Sequence, residues 1–407
     1  MKICMVSTHL ASGGGVSSYT KNLVRSLRGR EVDVFVFSNK PDKAGLEEDD
    51  KGIYACWNRG ILYPFQIFKA LVASKNVNLV HLQHEFFLYG GTVSAVLFPF
   101  LLVLVRLFGK PIVVTLHGVI PLFGVNNRFK EENELRGPLL LLKLGLMALT
   151  KAIVSLSDAV IVHGRFFAEI LRNEYRCPKG KIHVIPHGVK KAATGIPQNE
   201  AKKMLRLKNK SIILFFGYIA KYKGIETLIE AFGQLAKKHQ DWVLIVGGKE
   251  HPRLCTNPKY KEYVFGLQQK GFSLTPERII FTGFIPEEKL PLYFSATDIV
   301  VFPYTIAMSS SGPLALAISY GKPVIASDIP SLRELISFEE ALFKRGFPEG
   351  LAKKLELMFN DSGLRHRMSV HIKKMREENS WSEVSLQTCM LYQKICNSSA
   401  SCAHLLL

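Results

Sequence analysis

The chain has 407 residues, of which 47% are hydrophobic and 21% are charged, and its formal net charge at pH 7 is +19. This length predicts two domains, and the balance of apolar and charged residues excludes a disordered chain. The basic excess favours an anionic ligand: nucleic acid, anionic lipid or a nucleotide diphosphate.

Short apolar strands alternate with helix-length segments along the whole chain. The first half contains KICMVS, VDVFVFS, LVHLQ, PIVVTLH, AVIVHG and IHVIP, and the second half contains SIILFFG, WVLIVGG, RIIFTGF, DIVVFPY and PVIAS. Nearly continuous apolar strands separated by helices predict parallel sheets with helices on both faces. We therefore predict two doubly wound α/β domains, with ligands at the carboxyl ends of the strands and in the cleft between the domains.

Two apolar segments and the cysteines bear on location. Segment 92–108 contains Pro99 and Arg106 and is short for a membrane span, so it is predicted to be a buried helix. Segment 137–156 carries Lys143 and Lys151 and is typical of a helix that can rest on a bilayer surface. Seven scattered cysteines without a Cys-x-x-Cys pair indicate a reducing compartment, and the opening MKICMVSTHL resembles a strand more than a signal peptide. We predict a cytoplasmic protein, peripheral at the inner face of the membrane.

Glycines follow the first predicted strand. Gly14 and Gly15 lead into a helix predicted from about Val16, where backbone N–H groups can approach an anion; a flexible turn is the alternative. The loop is neither G-x-G-x-x-G nor a lysine-bearing phosphate loop, which disfavours a dinucleotide or ATP.

Four histidines follow four predicted strands of the first half, namely His84, His117, His163 and His187. A single such histidine is usually structural, but four at one sheet edge favour a polar site that binds sugar hydroxyls or phosphate, or moves a proton. A metal site is disfavoured because the neighbours His84 and Glu85 are the only close pair of ligands.

Two lysines lie between a predicted strand and a predicted amphipathic helix in the second half of the chain. Lys221 and Lys223 precede a helix predicted from about Ile225. Two ammonium groups beside a helix N-terminus favour a diphosphate, and a solvated lysine pair is the alternative.

A loop of small hydroxyl residues precedes a second candidate helix. Ser309, Ser310, Ser311 and Gly312 come before an apolar helix predicted from about Pro313. Free backbone N–H groups at that helix start are a plausible cradle for an anion, and the alternative is a flexible entry to a buried helix.

Taken together, these motifs resemble glycosyltransferase family 4, the retaining nucleotide-sugar enzymes of GT-B fold. The resemblance covers nearly the whole chain and rests on the glycine-rich first loop, TLHG, VIPHGV, FFGYIAKYKG, VGG, FTGFIPEEKL, YFSATDIVVFPY and GKPVIASD. It implies an N-terminal acceptor-side domain over 1–188 and a nucleotide-sugar-binding domain over 189–370. A C-terminal helix over 371–396 would cross back to the first domain, followed by a tail over 397–407.

The sequence departs from the family pattern at four positions. The family's two glutamates fall at Met308 and Leu316, its glycine between them falls at Ser311, and its arginine after FFG falls at Tyr218. QHEFFLYGG and SSSG resemble a branch of the family that lacks the glutamate pair, so we interpret the chain as a variant enzyme.

The resemblance implies transfer of a hexose from a UDP- or GDP-sugar to an acceptor hydroxyl, with retention and without a metal or other cofactor. His117 and Lys223 are the predicted catalytic residues, the first at the donor sugar and the second at the leaving diphosphate. The predicted donor-binding residues are Gly14, Gly15, Lys221, Lys223, Ser309, Ser310, Ser311, Gly312 and Leu314. His84 and Glu85 are predicted to face the acceptor, a lipid-linked glycan, polysaccharide or other glycoconjugate.

A second class of function is a catalytically silent binding protein that keeps the fold and uses its charge to hold an anionic membrane or a partner. Nucleic-acid binding rests on net charge alone, without a basic sheet bearing aromatic residues or a groove-reading helix, and is not expected. The sequence sets no oligomeric state.

Overall fold

A computed structural model of the chain describes residues 1–10, 14–41, 52–74, 76–133, 135–192, 195–251, 254–306 and 311–404. Within these residues the chain divides into two compact units, one of residues 1–188 and 381–404 and the other of residues 189–306 and 311–380. The predicted donor-binding residues Ser309 and Ser310, and Met308, lie outside the described residues.

The first unit is built on a parallel sheet. Its strands in the described residues are β1 (Lys2–Ser7), β2 (Asp33–Asn39), β3 (Ile53–Trp57), β4 (Leu79–His84), β5 (Ile112–Leu116), β6 (Ala159–Val162) and β7 (Ile182–Val184). They lie in the order β3-β2-β1-β4-β5-β6-β7. Strand β1 therefore lies between β2 and β4, and the direction of winding changes there. Ligands of such sheets bind at that point, outside the carboxyl ends of the strands.

Helices cover both faces of this sheet. They are α1 (Gly15–Arg28), α2 (Tyr63–Ala73), α3 (Thr92–Val96), α4 (Phe98–Leu107), α5 (Asn127–Glu132), α6 (Leu139–Leu156) and α7 (Arg165–Asn173). Helices α2, α4, α6 and α7 pack on one face and α1 on the other. Segment 92–108 is buried as predicted on its inner side, but as two helices, with Phe98, Leu101 and Val105 in the core. Of the described helices, only α6 is long and apolar enough to cross a membrane by length and composition, and 17% of it is buried.

The second unit repeats this architecture. Its described strands are β8 (Ser211–Phe216), β9 (Trp242–Gly247), β10 (Ile279–Gly283), β11 (Ile299–Phe302), β12 (Val324–Ser327) and β13 (Leu342–Phe343), in the order β10-β9-β8-β11-β12-β13. Its helices are α8 (Gln198–Met204), α9 (Ile225–Ala236), α10 (Pro258–Leu274), α11 (Leu290–Ala296), α12 (Gly312–Ser319), α13 (Pro330–Ile336), α14 (Pro348–Asn360) and α15 (Ser362–Glu378). The winding changes between β8 and β11, so the residues after these two strands share one end of the sheet.

The end of the chain differs from the sequence prediction. The helix predicted over 371–396 is two helices, the end of α15 and then α16 (Trp381–His404), which continues into the predicted tail. The helix is interrupted because the Val189 N–H donates to the Asn379 carbonyl at 2.7 Å and Val189 pairs with Ser380. Helix α16 belongs to the first unit, where it packs on α1.

Candidate functional site

The connection from β8 to α9 holds the most unusual charge of the second unit. A short 3-10 turn, Lys221–Lys223, leads to Gly224, whose φ of 64° and ψ of 31° are left-handed. A Cβ at Gly224 would lie 2.0 Å from the Pro303 carbonyl oxygen, so glycine is required for this close approach to the segment after β11. The approach places Lys223 beside the residues that follow β11.

Lys223 is a buried lysine that has no counter-ion among the described residues. Its side chain is 7% exposed, and Nζ lies 3.8 Å from the centre of the Tyr304 ring and 5.0 Å from that of Tyr222. Within the described part of the chain, no carboxylate or hydrogen-bond acceptor contacts Nζ. Burial alone lowers the pKa of Lys223 from 10.5 to about 7. The two rings offset part of the cost of desolvation, and an anionic ligand would restore the fully charged form.

The lysine of the Gly-Lys-Pro motif behaves differently. Nζ of Lys322 donates to the carbonyl oxygens of Ser295 and Thr297 at 3.0 and 2.9 Å, at the end of α11. Burial lowers its pKa to about 8, but the ammonium keeps protein partners. Lys322 is therefore structural, whereas Lys223 has no such partners in the part of the chain that the structure describes.

The Tyr304 ring connects Lys223 to the start of α12. Its hydroxyl lies 3.1 Å from Ser311 Oγ, which accepts a hydrogen bond from the Leu314 N–H at 3.2 Å and caps the helix. A Cβ at Gly312 would meet no atom within 4 Å, so the first residue of α12 faces open space. The structure thus brings together four predicted donor-binding residues, namely Lys223, Ser311, Gly312 and Leu314.

Lys221 lies nearby but in a different environment. It is partly exposed, and its Nζ is 5.5 Å from the centre of the Tyr263 ring on α10. The two lysines predicted as a pair are therefore unequal, because only Lys223 is buried.

Sequence reasoning missed the two tyrosines that hold Lys223. Tyr304 comes directly after DIVVFP, and Tyr222 lies between the two predicted lysines. Tyr304 lies close to Lys223 because β8 and β11 are neighbours in the sheet. The order of the strands could not be read from the sequence, so no sequence pattern pointed to Tyr304.

Three of the four predicted strand-end histidines meet in the first unit. The rings of His117, His163 and His187 lie 4.8, 5.0 and 5.2 Å from the Tyr19 ring on α1. All three are largely or wholly shielded from water, and burial lowers the pKa of each. Neutral imidazoles therefore predominate near neutral pH.

A chain of hydrogen bonds fixes the protons of this group. His163 Nδ1 donates to the Ile185 carbonyl at 3.0 Å, so its neutral Nε2 accepts from His117 Nδ1 at 3.3 Å. His117 Nε2 lies 2.8 Å from Oε1 of the Gln83 amide. Because the two ends of an amide exchange by rotation, a neutral His117 is satisfied when the amide nitrogen faces it. Both nitrogens of His117 thus have partners, and its role at the donor sugar stays a prediction.

The same group also anchors the last helix. The Tyr19 ring contacts the Trp381 ring at 5.1 Å, and His81 Nδ1 lies 2.5 Å from the Tyr392 hydroxyl, both on α16. A Cβ at Gly188 would lie 2.3 Å from the Trp381 ring. Part of the histidine signal in the sequence therefore reflects packing.

His84 lies apart from the other three histidines. Its ring is 4.4 Å from that of Phe98 on α4, its Nδ1 has no hydrogen-bond partner among the described residues, and burial lowers its pKa to about 3. It borders a cavity of about 10 Å³ lined by His84, Phe86, Leu116, Gly118, Val119, Ile120, Thr150 and Ile153. A neutral imidazole there can hydrogen-bond a hydroxyl but is a weak base, and the neighbouring Glu85 is exposed.

The glycines at the start of α1 are only partly constrained. The Gly14 N–H donates to Ser17 Oγ at 2.9 Å, whereas a Cβ at Gly15 would meet nothing within 4 Å. The helix begins at Gly15, one residue before the predicted start. Gly15 thus leaves backbone open to a ligand, as its predicted role requires.

Within the described ranges, no group of three or more His, Cys, Asp or Glu residues is placed to hold a metal ion. The expectation that no metal is required stays a prediction.

Comparisons with known proteins match both halves of the chain. The family model "Glycosyltransferase Family 4" matches residues 13–192, and "Glycosyl transferases group 1" matches residues 197–375. An uncharacterised glycosyltransferase of Methanocaldococcus jannaschii is 24% identical over 248 residues, which is 58% of this chain. That match spans 60% of the relative's length, less than two thirds.

Solved structures share the fold over the full length. Sucrose-phosphate synthase from Thermosynechococcus elongatus matches with a TM-score of 0.76 and 21% identity, covering 98% of this chain and 100% of that one. HepE from Anabaena, solved in complex with UDP-glucose, matches with a TM-score of 0.71 and 17% identity, covering 97% and 100%. The predicted GT-B fold is confirmed. The chain therefore belongs to the GT-B glycosyltransferases of the family 4 and group 1 type.

Proposed function

We propose that this protein transfers a hexose, with retention, from a UDP- or GDP-sugar to a hydroxyl of a lipid-linked glycan, polysaccharide or other glycoconjugate. The observation that carries the proposal is the buried ammonium of Lys223, just before α9 and over the Tyr304 ring, which has no acidic or hydrogen-bonding partner in the described part of the chain. A nucleoside diphosphate supplies the anion that this site lacks, and helix N-termini favour phosphate. HepE, of the same fold, has been solved with UDP-glucose, which supports a sugar nucleotide as donor.

The residues take distinct roles in this proposal. Lys223 neutralises charge that develops on the leaving diphosphate, and Lys221 adds a second, more exposed charge. The amides of Gly14, Gly15 and Gly312 approach the donor, and Ser311 and Leu314 hold the start of α12.

The remaining groups complete the donor and acceptor sides. His117 hydrogen-bonds the donor sugar, and His84 and Glu85 face the acceptor hydroxyl. Leu316, at the position of one family glutamate, is packed partly against the core of the second unit. Backbone and hydroxyl groups, without that carboxylate, then recognise the nucleotide sugar, and no metal takes part.

The test uses purified protein and a panel of UDP- and GDP-sugars. Thermal shift identifies the base, because a ligand that binds only the native state raises the unfolding temperature. Transfer of radiolabelled sugar to glycolipid or polysaccharide acceptors then tests turnover, and the anomer of the product tests retention. Binding without transfer or hydrolysis of any donor would support instead the catalytically silent protein.

A further inference from the structure

Three helices on one side of the first sheet expose large apolar side chains. Helices α2, α4 and α6 lie side by side, with α4 in contact with both others. Their inner residues belong to the core, while their outer surface carries Phe65, Val72, Phe100, Val103, Leu140 and Leu144. We call this surface, with the helix segments that carry it, the α2–α4–α6 face.

The apolar side chains of this face are well exposed and partly continuous. Phe65 is 55% exposed and Leu140 is 67% exposed. The Phe65 and Phe100 rings meet at 5.4 Å, joining α2 to α4 on the outer side. Single exposed apolar residues are ordinary, but a contiguous apolar surface marks an interaction site.

The charged residues of the three segments that carry this face are all basic. Segments 58–74, 92–111 and 138–156 contain no aspartate or glutamate. Their basic residues are Arg59, Lys69, Arg106, Lys110, Lys143 and Lys151. Arg106 is paired with Asp158 at 3.1 Å, a residue just beyond α6. Apolar helices with only basic charges on them match an anionic lipid surface, which offers both acyl chains and negative head groups.

We infer that the α2–α4–α6 face docks this protein on an anionic bilayer, with the helices lying in the interface and not crossing it. Helix α6 is held to the sheet through Thr150, Ile153 and Val154, so it cannot cross a membrane while the unit stays folded. A second copy of the chain is a poorer occupant, because a two-fold contact would oppose like charges. The inference does not depend on the transfer reaction and is tested without a donor.

Vesicle flotation tests the apolar part of the face. The full chain should float with vesicles of phosphatidylglycerol and phosphatidylcholine in equal parts, and much less with phosphatidylcholine alone. The double variant Phe65→Ser, Phe100→Ser should partition on the order of tenfold more weakly, because two aromatic rings no longer enter the interface. Its matched control is Phe265→Ser, Phe272→Ser, which removes two rings that are 60% and 64% exposed on α10 of the second unit. The control should partition as wild type does.

Charge reversal tests the basic part. Each basic residue near an anionic surface contributes about fivefold to partitioning, so Lys143→Glu, Lys151→Glu should reduce it more than tenfold. The control Lys259→Glu, Lys261→Glu changes net charge equally on exposed positions of α10. Added salt should release the wild type, because it screens surface charges. Circular dichroism should show the melting temperature of wild type for every variant that is scored.

Three results would overturn the inference. The first is no flotation with either vesicle at any salt concentration. The second is an equal loss in the α10 controls, which would make the effect one of net charge or general stickiness. The third is a dimer, seen by light scattering, that Phe65→Ser, Phe100→Ser dissociates while vesicles bind nothing; a second copy would then occupy the face.

Discussion

Replacing Lys223 with methionine should stabilise the unliganded protein and impair its function. A pKa lowered from 10.5 to about 7 means that burial disfavours the ammonium by about 4 to 5 kcal/mol. The unfolded chain keeps the ordinary pKa, so near pH 7 the wild type loses about 4 kcal/mol of stability. Contact with the Tyr304 ring returns about 2 kcal/mol, which the variant forfeits.

The net gain for Lys223→Met is then about 2 kcal/mol. For a unit of this size that corresponds to a rise of about 4 to 8 °C in melting temperature. Transfer should fall on the order of a hundredfold, the effect of removing one preorganised charge-stabilising group. The matched control is Lys322→Met, which leaves the carbonyls of Ser295 and Thr297 without their lysine donor. It should lower the melting temperature and leave the affinity for UDP or GDP unchanged.

Proton uptake gives a second readout of the same residue. With a pKa of about 7, Lys223 is half protonated at pH 7, and a bound diphosphate should draw the missing half proton from solution. Calorimetry of UDP or GDP binding in buffers of different ionisation enthalpy measures this uptake, and the difference between wild type and Lys223→Met isolates the lysine. Equal uptake and equal affinity in the two proteins, or a less stable variant, would refute the reasoning.

Three further changes test the site and the fold. Gly312→Val should abolish donor binding because the added side chain would occupy the space of the ligand, and it should change the melting temperature little because its Cβ meets no protein atom. The control Gly266→Val on α10 should bind the donor normally. Calorimetry with unfolding curves measures both, and unchanged donor affinity in Gly312→Val would contradict the predicted cradle. Gly224→Ala should destabilise by more than ~1 kcal/mol, since the left-handed backbone and the Pro303 carbonyl both oppose a Cβ; a wild-type urea midpoint would contradict this. His81, His84 and His163 have pKa values lowered to about 3, so the unfolded chain binds more protons below pH 6.5. Stability should fall by about 4 kcal/mol from pH 7 to pH 5.5, and a flat urea profile would contradict that burial.

The sequence by itself determined eleven of the described strands, the two-unit organisation and the family, but it missed the short strands β3 and β13. These depend on local apolar runs and on the order of motifs such as FFGYIAKYKG and GKPVIASD, which a reader can see without coordinates. The sequence also predicted that Lys223 precedes a helix and that the four histidines follow strands, because both predictions need only the residue type and its position along the chain.

Tertiary structure alone decided which of these residues are unusual. Burial lowers the pKa of Lys223, and its ammonium lies against Tyr304, a residue 81 positions away that the β8–β11 pairing brings close. Likewise, three histidines meet around Tyr19 while His84 does not, and the C-terminal helix is interrupted at Asn379 by a contact with Val189. Burial, hydrogen-bond partners and the continuity of an apolar surface are properties of contacts between distant segments. Local sequence patterns do not contain them, because each segment meets its partners only once the sheets have formed.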